Sequence, residues 1–243
     1  MIILIRKRFF LLSALFCCFA AGLAAVLWFG RRPSVPVFSA RDGIPVTVVV
    51  DAGHGGEDGG ATSPDGVEES GLNLEIAVRV NDLLRFAGQR TLLTRSEDVT
   101  IADPDLATVR QRKASDLKNR VALVNGTENA VLLSIHQNSL PSSVVTHGAQ
   151  VFWNRQEDAE MLAEAVQDTL NACINEGNEK HPKPIPATIY LMKNITAPGI
   201  IVECGFLSNA EETLRLQEPS YQQKLAAAIA AGYLRCAAGE EIS

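Results

Sequence analysis

The chain has 243 residues, 47% of them hydrophobic, enough to bury a sizeable core, so disorder of the whole is excluded. A formal net charge of -6 argues against a broad nucleic-acid surface, which needs clustered lysine and arginine facing phosphates, so no polyanionic partner is expected. Five cysteines without CxxC or zinc-ribbon spacing predict no disulfide framework, and Cys173, Cys204 and Cys236 read as small buried apolar residues.

Arg6, Lys7 and Arg8 precede an uncharged apolar stretch from Phe9 to Gly30, "FFLLSALFCCFAAGLAAVLWFG". At about 1.5 Å per residue this stretch spans a hydrocarbon layer of roughly 30 Å, so residues 1–30 are an export signal, an anchor or both. The apolar run exceeds the about 7–15 residues of a cleaved signal's core, which favours an uncleaved anchor with residues 9–30 as the membrane contact. The basic residues before the span, against Arg31 and Arg32 after it, place the amino terminus in the cytoplasm and the rest of the chain outside. Residues 31–46, "RRPSVPVFSARDGIPV", have three prolines and no period, and read as a linker.

The folded domain is expected over 47–238, with 239–243 a short tail. "VTVVVDAG" is a nearly continuous apolar run, the mark of a strand covered on both faces. Leu72, Ile76, Val80, Leu83 and Ala87 then recur at spacings of three and four, predicting an amphipathic helix stopped by Gly88. "RTLLTR" reads as a second strand. Leu106 to Val124 predicts one or two helices whose arginines and lysines form a solvated basic face. "AVLLSIHQN" and "GAQVFW" are the third and fourth strands, and Met161 to Cys173 a helix. "ATIYLMK" and "PGIIVECG" are two further strands, and Leu225 to Cys236 marks a closing helix. This alternation predicts an α/β fold: a mostly parallel twisted sheet of about six strands with helices on both faces, in a single catalytic domain.

The glycine-rich bend after the first strand, "DAGHGG", invites comparison with phosphate-binding loops. A dinucleotide fingerprint would need glycine where Asp58 stands, a P-loop ending in Gly-Lys-Ser/Thr is absent, and Glu57 and Asp58 would repel an anion. The bend suits a cation. Three apolar strands end in polar groups: Asp51 and His54 after the first, His136 and Asn138 at the third, and Glu203 at the last. In a parallel sheet the carboxyl ends of the strands share one edge, where ligands bind, so these groups can converge. Two histidines and a carboxylate form a recurrent catalytic zinc set, with a further carboxylate as general base. Taken singly, each histidine is as well read as a hydrogen-bonded structural residue.

The blocks "VVVDAGHGGEDGGA", "GVEESGLNLEIA", "LLTR", "LLSIHQN", "GAQVFW" and "IIVECGFLSNAEE", in that order, resemble the zinc-dependent N-acetylmuramoyl-L-alanine amidases of the type 3 family over roughly Thr47 to Cys236. The resemblance implies one zinc ion (Zn2+) per chain held by His54, Glu69 and His136, with Glu203 catalytic. Glu69 falls in register with the family's glutamate although Ser70 replaces the usual lysine after it, and Glu68 is the neighbour it has to be told from. The implied reaction is hydrolysis of the amide between the lactyl group of N-acetylmuramic acid and the L-alanine of peptidoglycan stem peptides. Asp51 is read as a partner for His54 and Asn138 as orienting ligand or substrate, while His147 and His181 match no ligand position and read as surface residues. "RKASDLKNR" and "IPATIYLMKNITAPGIIVECGFLSN" are most similar to the sporulation amidases, which act on spore cortex as the first step towards muramic δ-lactam. An exported location follows, anchored by the span or secreted, in a spore former the cortex space, and the sequence leaves open an activating or partner protein. The rival readings are a non-catalytic peptidoglycan-binding membrane module and a zinc peptidase cutting within the stem peptide.

Overall fold

β1 (Thr47–Ala52), β2 (Arg90–Leu93), β3 (Ala130–Asn138) and β6 (Gly199–Phe206) run parallel, and β4 (Gln150–Trp153) lies antiparallel to β6. The two-residue β5 (Lys183–Pro184) pairs parallel with β4, completing the order β2-β1-β3-β6-β4-β5. These observations come from a computed structural model that describes Phe38 and residues 43–239. The anchor expected over 1–30, most of the linker over 31–46 and the tail beyond Gly239 lie outside the described residues. Among the described residues no helix is long and apolar enough to cross a membrane.

The apolar runs are continuous because each strand is covered twice. Val48, Val50 and Ala52 face one core, where Val131, Leu133 and Ile135 of β3 and Ile200, Val202 and Cys204 of β6 join them. Three helices cover that face: α1 (Glu69–Phe86) through Leu72, Ile76, Val80 and Leu84, α3 (Ala159–Cys173) through Leu162, Val166 and Leu170, and α6 (Pro219–Ala238) through Leu225, Ile229 and Tyr233. The alternate strand residues Val49, Leu132 and Ile201 face a smaller second core, closed by Val124 of α2 (Val109–Gly126) and by the five-residue α4 (Tyr190–Asn194). Each fully buried aliphatic side chain contributes about 1.5–3 kcal/mol relative to exposure. Together the two cores fix the plane and direction of the strands that carry the polar ends.

The helix ends follow their sequences. Thr108 and Gln111 form a reciprocal capping box at the start of α2, which is a single helix. Pro219 opens α6, and Gly239 closes it in the left-handed conformation. α5 (Ala210–Leu216) is capped by the Asn209 side chain, which accepts from the Glu212 N–H.

Two expectations are corrected. "ATIYLMK" is not a strand: Tyr190–Asn194 form α4, and Leu191, Met192 and Ile195 share its buried side. Both edges of β6 are already paired, by β3 and β4, so no edge is open to another strand there. A single helical turn places those side chains in the second core instead. Cys173 is exposed at the carboxyl end of α3, whereas Cys204 and Cys236 are buried; all three are free. On the amino side of the domain, Phe38 stacks on Tyr233 with ring centroids 6.1 Å apart and planes 7° apart, and the Ile44 carbonyl accepts from the Asn129 amide.

A candidate metal centre at the carboxyl edge of the sheet

β1, β3 and β6 all end at one edge, and register does the first part of the assembly. His136 on β3 is directly paired with Glu203 on β6, so the two side chains leave the sheet side by side on one face. His54 comes from the bend after β1 and Glu69 from the first turn of α1. The nearest ligand atoms of His54, Glu69 and His136 all lie within 4.8 Å of one another, the compactness a single metal ion needs.

The glutamate in this cluster is Glu69. It is 3% exposed, whereas Glu68, one position earlier at the cap of α1, is exposed and lies over Gly59. Glu69 Oε2 accepts from the Ala61 N–H at 2.8 Å and stands 3.4 Å from His54 Nε2. Its Oε1 lies 2.9 Å from His136 Nδ1 and accepts from the Gln137 N–H and Asn73 Nδ2, each at 3.1 Å. Burial pushes the Glu69 carboxyl up, but the His136 hydrogen bond, the two imidazole charges and the Ala61 amide hold it down at about 2. Burial pulls His136 down and Glu69 raises it more, so the imidazole sits above its usual value. An anionic carboxylate between two imidazoles is the donor set that zinc takes in catalytic sites, with one position left open.

Glu203 is in the opposite state. Its Oε2 is buried without a hydrogen-bond partner. Burial pushes its carboxyl up to about 7, against the lowering field of His136 and with the help of the Glu69 charge. A carboxyl with a pKa near 7 beside a metal-binding cluster has the properties of a general acid and base.

Close approach explains two glycines of the bend. A Cβ at Gly53 would stand 2.3 Å from the His136 ring, and one at Gly60, where φ is +71°, would stand 2.5 Å from Glu69 Oε2. His54 itself is held at φ 62°, a left-handed conformation that costs a residue with a Cβ about 1–3 kcal/mol.

Asp51 does not meet the His54 ring. It is 1% exposed, and its carboxylate accepts from Ser134 Oγ at 2.6 Å and from Arg120 Nη1. The ring partner is Asp58, whose Oδ2 lies 3.0 Å from His54 Nδ1, with Lys113 Nζ 2.6 Å from Oδ1 on its other side. The carboxylate adjoining a histidine in sequence was the expected partner; the bend folds back so that the one four residues later takes that place. The Asn138 Oδ1 accepts from the Ser139 N–H at 2.8 Å. His147 and His181 are exposed.

The basic face of α2 is also more than solvated. Arg112 pairs with Glu57, with Nη2 2.7 Å from Oε2, Lys113 pairs with Asp58, and Arg120 is buried beneath the bend. The acidic residues of the bend are therefore paired with side chains of their own, which leaves the cluster itself as the candidate cation site.

The family model described as N-acetylmuramoyl-L-alanine amidase matches residues 48–235. The chain is 38% identical over 188 residues to the germination-specific N-acetylmuramoyl-L-alanine amidase of Bacillus subtilis, covering 77% of this chain and 78% of that one. It is similar to the CwlD amidase of Clostridioides difficile, solved in complex with the GerS lipoprotein, with a TM-score of 0.75 at 33% identity, covering 78% of this chain and 97% of that one. It also matches the amidase AmiA of Escherichia coli at 28% identity over 215 residues, 77% of this chain and 74% of that protein.

Proposed function

Because the chain belongs to the N-acetylmuramoyl-L-alanine amidase family, we propose that it performs that family's peptidoglycan cleavage with one zinc ion held by His54, Glu69 and His136, and with Glu203 as its general acid and base. The observation that carries this reading is Glu203: a buried carboxyl with an unpartnered oxygen, in register with one member of a three-residue cation site. A module that only bound peptidoglycan would have no need of such a group.

When bound, zinc supplies a Lewis acid for the scissile carbonyl and acidifies water at its open position. The chain's own residues do the rest. His54 presents Nε2 to the cluster because Asp58 takes Nδ1, and His136 presents Nδ1. Glu203, with its pKa near 7, accepts a proton from the attacking water and returns it to the leaving L-alanine amine. The bond cut joins the lactyl carbonyl of N-acetylmuramic acid to that amine.

The likeness to the germination-specific enzyme supports spore cortex as the substrate and removal of stem peptides as the step before muramic δ-lactam formation. A substrate of this kind puts the domain outside the cytoplasmic membrane, held there by residues 9–30. The likeness to an amidase solved with a lipoprotein supports a partner protein for this chain as well.

Mass spectrometry of cortex peptidoglycan digested by the enzyme, with and without added zinc, tests the reaction. Free stem peptides bearing an L-alanine amino terminus are expected, whereas cuts inside the stem would identify a peptidase. Glu203→Gln should lower turnover about 10²- to 10⁴-fold, the range for losing a general acid–base group, while zinc content stays at one per chain. Turnover at the wild-type rate would remove Glu203 from the mechanism.

A further inference from the structure

The three side chains of the cation cluster come from three segments that do not form one element: the bend after β1, the first turn of α1 and the end of β3. One buried side chain touches all three. Asn73 lies one turn after Glu69 on α1 and is 0% exposed. Its Nδ2 donates to the Gly53 carbonyl, next to His54, and to Glu69 Oε1, both at 3.1 Å. Two acceptors fix which way the amide faces, so its Oδ1 is left to accept from Gln137 Nε2 at 3.2 Å, and Gln137 follows His136. The Gln137 N–H then donates to the same Glu69 Oε1, closing the network.

Nothing in the packing of α1 calls for an amide at this position. Its neighbours on the buried side, Leu72, Ile76, Ala77 and Val80, are apolar and fill the larger core. An asparagine inside a helix and away from water is costly unless its hydrogen bonds are made, and here all three go to the ligand-bearing segments. Arg95 makes a parallel tie, donating from Nη2 to the Gly53 carbonyl at 3.1 Å and to the Ser70 carbonyl at 2.8 Å. That tie joins backbone to backbone, whereas Asn73 also holds the ligand carboxylate itself.

We propose that Asn73 is the positioning residue of the cation site, setting His54, Glu69 and His136 at their mutual distances before the metal arrives. The inference rests on the reading of those three residues as metal ligands. Outer partners of metal ligands change affinity by about 10- to 100-fold when removed, and a loss in that range is expected for zinc in Asn73→Leu, with a fall in kcat at saturating zinc and KM little changed. Asn73→Asp, of the same shape but with no N–H to donate, should lose affinity as Asn73→Leu does.

The experiment is a chelator competition for zinc with the full chain, well below its unfolding temperature, beside muropeptide kinetics. A purely structural amide would lower the melting temperature and leave zinc affinity alone, so a folded Asn73→Leu within about twofold of wild-type affinity overturns the proposal, being far short of the expected loss. If the Asn73 variants do not fold, Gln137→Met decides. It keeps Asn73 but frees its Oδ1, and should lose about tenfold, with wild-type affinity again refuting the proposal. His54→Ala separates the two levels: wild-type zinc binding there overturns the ligand reading and the positioning role together. Lost binding there with unchanged affinity in the Asn73 variants overturns the positioning role alone.

Discussion

Replacing Arg120 with methionine would test how the bend that carries His54 is held. Arg120 is 2% exposed and its guanidinium reaches five groups: Nε donates to Asp116 at 2.6 Å, Nη1 to Asp51, to the Ala52 carbonyl at 2.8 Å and to Thr94 Oγ1 at 3.5 Å, and Nη2 to the His54 carbonyl at 2.7 Å. Methionine keeps most of the apolar stem and removes every one of these bonds, leaving the Asp51 carboxylate buried with Ser134 and Thr94 as its side-chain hydrogen-bond partners. Breaking a buried ion pair from one side costs about 3–5 kcal/mol, which for a domain of this size lowers the melting temperature by roughly 6–20 °C. The pH dependence gives a second check. Burial pushes the Asp51 carboxyl up, but Arg120, Ser134, His136 and Thr94 together outweigh it and hold the group below its ordinary 3.8. Its folded pKa is thus depressed, so its contribution is present above that value and is lost as the pH falls through it towards the folded pKa. In Arg120→Met the burial remains and the largest lowering influence is gone, so the Asp51 pKa rises and the acid sensitivity it gives the wild type should shrink. Urea unfolding of wild type, Arg120→Met, Asp51→Asn and the double variant, near neutrality and in mild acid, measures both effects. The double variant should be more stable than the summed single costs allow, by about 0.5–3 kcal/mol. A cost below about 1 kcal/mol for Arg120→Met, or strict additivity in the cycle, would refute the reasoning.

Gly53→Ala leaves both apolar cores untouched, but its Cβ would stand 2.3 Å from the His136 ring and must displace it. A displacement of about 1 Å at a reacting centre costs on the order of 10² in turnover, which kcat on muropeptides would report beside an unchanged circular dichroism spectrum. Asp58→Asn replaces the charged partner of His54 Nδ1 and should weaken zinc binding about tenfold with little change in melting temperature. Equal affinity in the chelator competition would mean that the ring is oriented by something else. Phe38→Ala loses the stack on Tyr233 and should cost about 1–2 kcal/mol in urea unfolding while leaving kcat alone, since Phe38 lies with Glu128 and Asn129 by the amino ends of the strands.

The strands that carry the site were legible because doubly buried parallel strands announce themselves. "VTVVVDAG", "AVLLSIHQN" and "PGIIVECG" are apolar almost to their ends, and of the polar groups there His136 and Glu203 sit side by side with His54 close to His136, while Asp51 turns to Ser134 and Arg120. "ATIYLMK" has the same composition and became α4, because its fate was decided by which edges of β6 were already occupied, a fact of topology that no local run contains. The partners of the histidines were hidden for a related reason. Proximity in sequence pointed to Asp51, but strand geometry turns its side chain down among Ser134 and Arg120, and the bend brings Asp58 back to the ring instead. Arg120 itself looked like one more residue of a solvated face. One detail distinguishes it: position 120 lies one turn past Asp116, with which it pairs in the buried layer. Asn73 stood inside a matched block, "GLNLEIA", as the polar member of an apolar helical stripe, and that mismatch was the available signal.

The contrast between the residues of the candidate site explains where the buried polar groups are spent. His136 and Glu203 sit on adjacent strands, and the ladder sets their spacing without help from any side chain. His54 has no ladder: it occupies a bend, at a φ that strains its backbone, after the last residue of β1. The carbonyls of Ala52, Gly53 and His54 are gripped in succession by Arg95, Asn73 and Arg120, all three nearly or wholly buried. Such groups are expensive to bury and would be poor choices for stability alone, since apolar residues of similar size do as well. Their concentration under one loop makes sense if the loop must be as rigid as a strand, so that a histidine with no secondary structure of its own meets Glu69 and His136 at the distances the proposed ion needs. On this argument the three residues should be separable by what they control. Loss of Arg95 or Arg120 loosens the whole bend and is felt first in stability, whereas loss of Asn73 frees the Glu69 carboxylate and is felt first in metal affinity.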